Sequence, residues 1–232
     1  MATAVLAIRL VMNIFDINSI FFTVLGYPMS YLEFFGTVTG AVATWLSARA
    51  HIVSWPVGMV SVVLFVFLFY QIQLYPDMFL QVFFFVTNAL GWWQWTHPKT
   101  GEEDRRNELK ITPLSAQNFW LLMGVGAVAT VLFGAIAQNL HEWFPVMFSL
   151  PSAYPYLDSF TSVMSIIATF LLIRKKLECW YVWLLVDLIS TYMYFTKGVK
   201  VLGIEYGFYC LIAFVGAWHW TREYRSYTPT AA

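Results

Sequence analysis

The sequence predicts an all-α integral membrane protein with seven transmembrane helices. They form two parallel three-helix repeats joined by one linker helix, preceded by an N-terminal interfacial helix. Three observations carry this. Of the 232 residues, 59% are hydrophobic, 19% aromatic and only 11% charged, where a soluble domain carries roughly 25% charged residues. Residues 31–96 align with 156–221 at a constant shift of 125 positions, with 15 identities in 66 ungapped pairs. Basic residues cluster in alternate loops, as they do in multi-span proteins.

A chain of this length cannot bury so much apolar surface in its own core. Runs such as LFVFLFY (64–70) do not alternate apolar and polar residues, which excludes a transmembrane barrel. Zero net charge gives a nucleic-acid partner no electrostatic support. Metal-ligand spacings and Gly-rich phosphate loops are missing from the sequence, so neither a cofactor nor an enzymatic role is expected. The only partner that composition demands is the lipid bilayer.

The elements follow in order. Residues 1–27 are apolar but interrupted by Arg9, Asn13, Asp16 and Asn18, which suits an amphipathic helix lying at the interface. Spans are expected at 31–48, 54–71 and 77–96 in the first repeat. Residues 97–155 hold a loop, solvated because KTGEEDRRNELK (99–110) mixes both charge signs, and the linker span 116–139. The second repeat supplies 156–173, 179–196 and 202–221, and 222–232 form a tail. Each span has the length an apolar layer of ~30 Å requires. One intervening span makes the repeats parallel rather than inverted. Loops after the first, third and fifth spans, with the tail, hold ten Lys/Arg; the others hold Lys197 and Lys200. The excess places the C-terminus inside and the N-terminus outside.

Asp187 is the ionisable group nearest the middle of any span. A charge there costs at least ~2.5–3.5 kcal/mol on insertion scales, so it must face a polar cavity or a partner. At helical spacing it shares a face with Trp183, Ser190, Thr191 and Tyr194. On the third span, Gln81, Phe85, Asn88, Trp92 and Trp95 recur at three- to four-residue steps. The Asn88 amide offers donors and an acceptor. Most Trp residues at span ends are interfacial anchors, but Trp92 lies on the Asn88 face. These polar groups are not duplicated: Val62 stands opposite Asp187, Gly58 opposite Trp183, Ala213 opposite Asn88 and Tyr206 opposite Gln81. That asymmetry fits one ligand bound where the repeats face each other, as in small transporters. Glu33, Asp77, Asp158 and Glu205 lie near helix N-termini, where capping explains a carboxylate; Glu205 can also reach a vestibule. Aromatic rings with one acid suit a flat cationic heterocycle, while amides and hydroxyls suit a sugar or carboxamide. The substrate-binding set is therefore Asp187, Asn88, Trp183, Trp92, Gln81, Thr191 and Tyr194.

The run from Asn88 to Trp95 (NALGWWQW) resembles the NxxGWxxW signature of the PnuC-type vitamin transporters. Trp180 to Asp187 (WYVWLLVD) is similar to their WxxWxxxD stretch. The resemblance implies bacterial inner-membrane uptake of nicotinamide riboside by facilitated diffusion. It also implies a homotrimer and trapping of the product by a cytoplasmic kinase. Thiamine or riboflavin is the substrate of close relatives. A sugar carrier or a membrane receptor remains the alternative.

Overall fold

A computed structural model describes residues 15–24, 26–71, 75–146, 154–196 and 200–227. A hairpin, β1 (Ile20–Val24) and β2 (Tyr27–Ser30), precedes seven helices: α1 (Tyr31–Ala48), α2 (Ser54–Gln71), α3 (Tyr75–Thr96), α4 (Ala116–Trp143), α5 (Pro155–Ile173), α6 (Cys179–Thr196) and α7 (Lys200–Tyr227). The ends of α1, α2 and α6 coincide with the expected spans; α4 and α7 run further. The chain packs as two compact units, Met1–Thr96 and His97–Ala232.

The hairpin corrects the expectation of a helix through residue 27; residues 1–14 lie outside the described residues. Aromatic and β-branched residues at 21–24 favour extended backbone, and Gly26 adopts φ +86° at the turn. Val24 then pairs with Tyr27 and Ile20 with Ser30. Ser30 ends the hairpin and starts α1. Its Oγ accepts from the Glu33 amide at 3.2 Å, while Glu33 Oε2 accepts the Ser30 amide at 2.8 Å. This capping box satisfies two orphan donors and confirms capping as the role of Glu33. Upstream, the Gln71 amide donates to the Phe15 carbonyl at 2.7 Å and accepts the Ile17 amide at 3.0 Å. Phe15 and Ile17 pack on Leu32, Leu64 and Leu68.

The duplicated sequence recurs as duplicated local geometry inside each unit. The α1–α2 turn puts Ala50 at φ 52°, and the α5–α6 turn puts Lys175 at φ 51°. His51 N–H donates to Leu46 at 2.9 Å; Lys176 N–H donates to Leu171 at 2.8 Å. Trp55 meets Trp95 edge-on at 5.2 Å and 89°, and Trp180 meets Trp220 at 5.6 Å and 81°. Gly91 and Gly216 lie against the faces of Trp55 and Trp180. The identities at these six positions are therefore packing requirements.

Large apolar side chains point outward. On α4, Trp120, Leu121, Val128, Leu132 and Phe133 are all exposed, whereas Gly126, Thr130 and Gly134 are buried. An apolar face of that extent is untenable in water and natural against acyl chains, where small residues take the helix contacts. Among the described residues, α4 and α5 are long and apolar enough to cross a membrane on length and composition. The other five helices have 18 to 28 residues, about 27 Å or more at 1.5 Å per residue.

The 97–115 segment departs from the expected solvated loop. Asp104, Leu109 and Ile111 are buried. Asp104 Oδ1 accepts the amides of Arg106 and Glu108 at 2.7 and 3.0 Å, and Glu103 bridges Leu109. Thr112 pairs with the α5–α6 turn through Lys175 and Leu177. The Glu178 carboxylate accepts the Leu114 amide at 2.9 Å, and Arg106 meets Glu223 of α7 at 2.9 Å. Lys175 is fully buried with its Nζ 3.4 Å from Glu108. Burial lowers its pKa, opposed by Glu108 and Asp104. The partners lie 60 to 120 residues away in sequence, so local charge pattern could not reveal them.

Candidate functional site

In the second unit the candidate site is built on α6 and α7. Asp187 sits midway along α6 and is 5% exposed, yet among the described residues no group hydrogen-bonds its carboxylate. Its register is fixed by Thr191, whose Oγ1 donates back to the Asp187 carbonyl at 2.7 Å. That bond satisfies the hydroxyl within the helix and leaves the carboxylate without it. Ser190, 3% exposed, lies on the same face. Trp183, one turn earlier, is half-buried, as are Thr191 and Tyr194. Across from them α7 presents Tyr206, Tyr209 and Cys210, all half-buried. Tyr194 and Tyr206 stack at 5.3 Å and 16°, and Tyr206 meets Tyr209 edge-on at 6.1 Å.

A buried acid without a hydrogen-bond partner is expensive in any low-dielectric setting. Aromatic faces around it attract cations. The arrangement therefore suits a planar cationic guest whose charge neutralises Asp187 and whose ring lies on tyrosine or tryptophan.

The first unit places the remaining candidates on α3. Asn88 is half-buried; its Nδ2 donates to the Phe84 carbonyl at 2.8 Å. Its oxygen end lies against Gly58 of α2, where a Cβ would come within 2.5 Å of Oδ1. So the amide needs the missing side chain at 58. The repeat inverts these sizes: Trp183 replaces Gly58, and Ala213 replaces Asn88. Gln81 is half-buried. Trp92 is 44% exposed, accessible to lipid or ligand. Asp187, Thr191 and Tyr194 thus share one aromatic-lined face in unit 2, and Asn88, Gln81 and Trp92 share a helix in unit 1. Sequence reasoning missed Tyr206 and Tyr209. The signal was present as a Tyr-x-x-Tyr pair following Glu205, but α7 carries aromatics on every side.

Among the described residues no group of three His, Cys, Asp or Glu side chains could hold a metal ion. An apolar groove in unit 1, about 260 Å³ and lined by Phe15, Met59, Val60, Val63 and Leu64, offers nothing polar to a charged ligand.

Among the described residues, seven long helices, several with lipid-suited apolar faces, and an acid buried midway along one of them without a hydrogen-bond partner fit the class of polytopic membrane proteins. Comparison with known proteins sharpens this. The profile of the nicotinamide mononucleotide transporter family matches residues 30–222, and the chain belongs to that family, whose members include the PnuC transporters. It is 30% identical over 213 residues to the nicotinamide riboside transporter PnuC of Escherichia coli K12, covering 86% of this chain and 89% of that one. It is 25% identical over 215 residues to the riboflavin/roseoflavin transporter RibM of Streptomyces davaonensis, covering 92% and 95%. A crystal structure of the vitamin B3 transporter PnuC shares the fold, with a TM-score of 0.62 at 23% identity over 96% of this chain and 89% of that one.

Proposed function

We propose that this protein carries nicotinamide riboside into a bacterial cell across the inner membrane, by facilitated diffusion with alternating access. The observation that carries this reading is Asp187, buried without a hydrogen-bond partner among the described residues, on a helix whose Tyr194 stacks on Tyr206. It is the counter-charge a pyridinium ring requires, in a chain whose 30% identical relative bears that substrate's name. Trp183, Tyr194 and Trp92 supply aromatic surface. Asn88 and Gln81 supply hydrogen bonds for carboxamide and ribose, and the Thr191 oxygen, whose proton is used within the helix, supplies an acceptor. The spans lack an acidic relay, so flux stops when free concentrations equalise; a cytoplasmic kinase that phosphorylates the product keeps inflow going. A homotrimer follows from the family resemblance. The loop basic residues support a cytoplasmic C-terminus and an external N-terminus.

The likeness to RibM favours riboflavin as the second reading. Uptake into proteoliposomes separates them. With nicotinamide riboside, nicotinamide, thiamine, riboflavin and glucose as probes, the riboside is expected to enter fastest and to equilibrate without a gradient of protons or sodium. Faster entry of riboflavin overturns the assignment, and binding without entry marks a receptor.

The Gly58 notch gives a finer test. Gly58→Ala must push the Asn88 amide aside. Losing one neutral hydrogen bond is worth ~0.5–1.5 kcal/mol, so affinity for nicotinamide riboside is expected to fall about two- to tenfold. Unchanged affinity would remove Asn88 from the site.

A further inference from the structure

Asp187 is not the only acid on the aromatic face of unit 2. Glu205, near the start of α7, is half-buried and accepts a hydrogen bond from Tyr209 at 3.4 Å. Tyr209 in turn packs edge-on against Tyr206, which stacks on Tyr194 of α6. The close approach of the two helices here has a cause: a Cβ on Gly203 would already touch the Phe195 ring at 3.0 Å. One hydrogen bond and two ring contacts thus link Glu205 through Tyr209 and Tyr206 to Tyr194, on the helix that carries Asp187. Glu205 is one helical turn, ~6 Å of rise, before Tyr209, further toward the end of the helix. This end of unit 2 is the one away from the folded 97–115 segment, because it holds the start of α5, the end of α6 and the start of α7.

Glu205 lies in the second turn of α7, past the orphan amides of the first, so it is not a helix cap. Asp187, more than nine-tenths buried and without a hydrogen-bond partner among the described residues, supplies the destination for a cation further along α6.

We propose that Glu205, Tyr209 and the Tyr194–Tyr206 stack form a second binding station for planar cations, which loads the ligand before it reaches Asp187. This rests on the transport reading given above. At the station Glu205 attracts the cation, and the tyrosine faces carry it one turn inward without leaving it unpaired. A positioned charge at a mouth raises local ligand concentration and entry rate, and salt weakens the effect.

The test compares a charged ligand with its uncharged twin. Nicotinamide riboside is cationic; its dihydro form has nearly the same shape and no charge. Initial uptake of both at sub-saturating concentration is measured in proteoliposomes for wild type, Glu205→Gln and Tyr209→Phe, at low and high salt. Glu205→Gln is expected to slow the cation three- to tenfold at low salt, slow the dihydro form less than twofold, and flatten the salt dependence. Tyr209→Phe keeps the ring and is expected to slow the cation by a smaller factor. Equal slowing of both ligands, or no slowing by Glu205→Gln, overturns the second station while leaving Asp187 untouched. If wild type does not admit nicotinamide riboside, the transport reading fails instead; thiamine then serves as the cation and riboflavin as the neutral probe. An effect confined to thiamine supports the station, and its absence overturns it.

Discussion

Asp187→Asn is expected to lower affinity for nicotinamide riboside at least tenfold, about 1.4 kcal/mol or more, while leaving thermal stability unchanged or slightly raised. The two signs come from one cause. Asp187 is 5% exposed and accepts no hydrogen bond among the described residues, so its charge costs the empty protein free energy that a neutral amide of the same shape does not. The cost is recovered when a cation arrives. A purely structural aspartate would behave oppositely, because removing a partnered buried charge destabilises the fold. Binding measured by titration and thermal midpoints measured in the same detergent distinguish the two. A lower midpoint with normal affinity would show that Asp187 holds helices together instead of a ligand.

The second large effect concerns architecture. Gly216→Ala is expected to destabilise the protein by about 1–3 kcal/mol, the usual range for overpacking. Its Cβ would sit 2.5 Å from Trp180 Cδ2. That indole is 2% exposed and wedged edge-on against Trp220, so it cannot swing away. Gly91→Ala should cost a similar amount against Trp55 in the first unit. Gly124 provides the control: nothing lies within 4 Å of a Cβ there, and alanine in mid-helix is favoured over glycine by up to ~1 kcal/mol. Thermal midpoints should therefore fall for Gly216→Ala and hold or rise for Gly124→Ala. Equal midpoints for the two variants would refute the notch.

These contacts explain which parts of the molecule could be read in advance. The helices were legible because membrane spans need long apolar runs, and the repeat supplied each boundary twice. The pairs Trp55/Trp180 and Gly91/Gly216 were visible as identities, and the structure supplies their reason. Asp187, Thr191 and Tyr194 were legible as one face because helical spacing alone puts them together. The hairpin at 20–30 was not, since Ile20 to Val24 continue an apolar stretch whose period favours neither state and only Gly26 marks the turn. The folding of 97–115 was hidden for another reason: Lys175, Glu178 and Glu223 contribute its partners from distant positions. Tyr206 was noticed only as the counterpart of Gln81. Its stacking on Tyr194 depends on the Gly203–Phe195 approach, which no periodicity reports.

On the proposed reading, the Asp187 charge and the ligand charge stabilise each other. A thermodynamic cycle measures this directly. Affinities of nicotinamide riboside and its uncharged dihydro form are determined for wild type and Asp187→Asn in lipid nanodiscs, and the coupling free energy is taken from the four values. A coupling of about 1.4 kcal/mol or more in favour of the charged pair is expected. A coupling indistinguishable from zero, with the preference for the cation intact in Asp187→Asn, would contradict it.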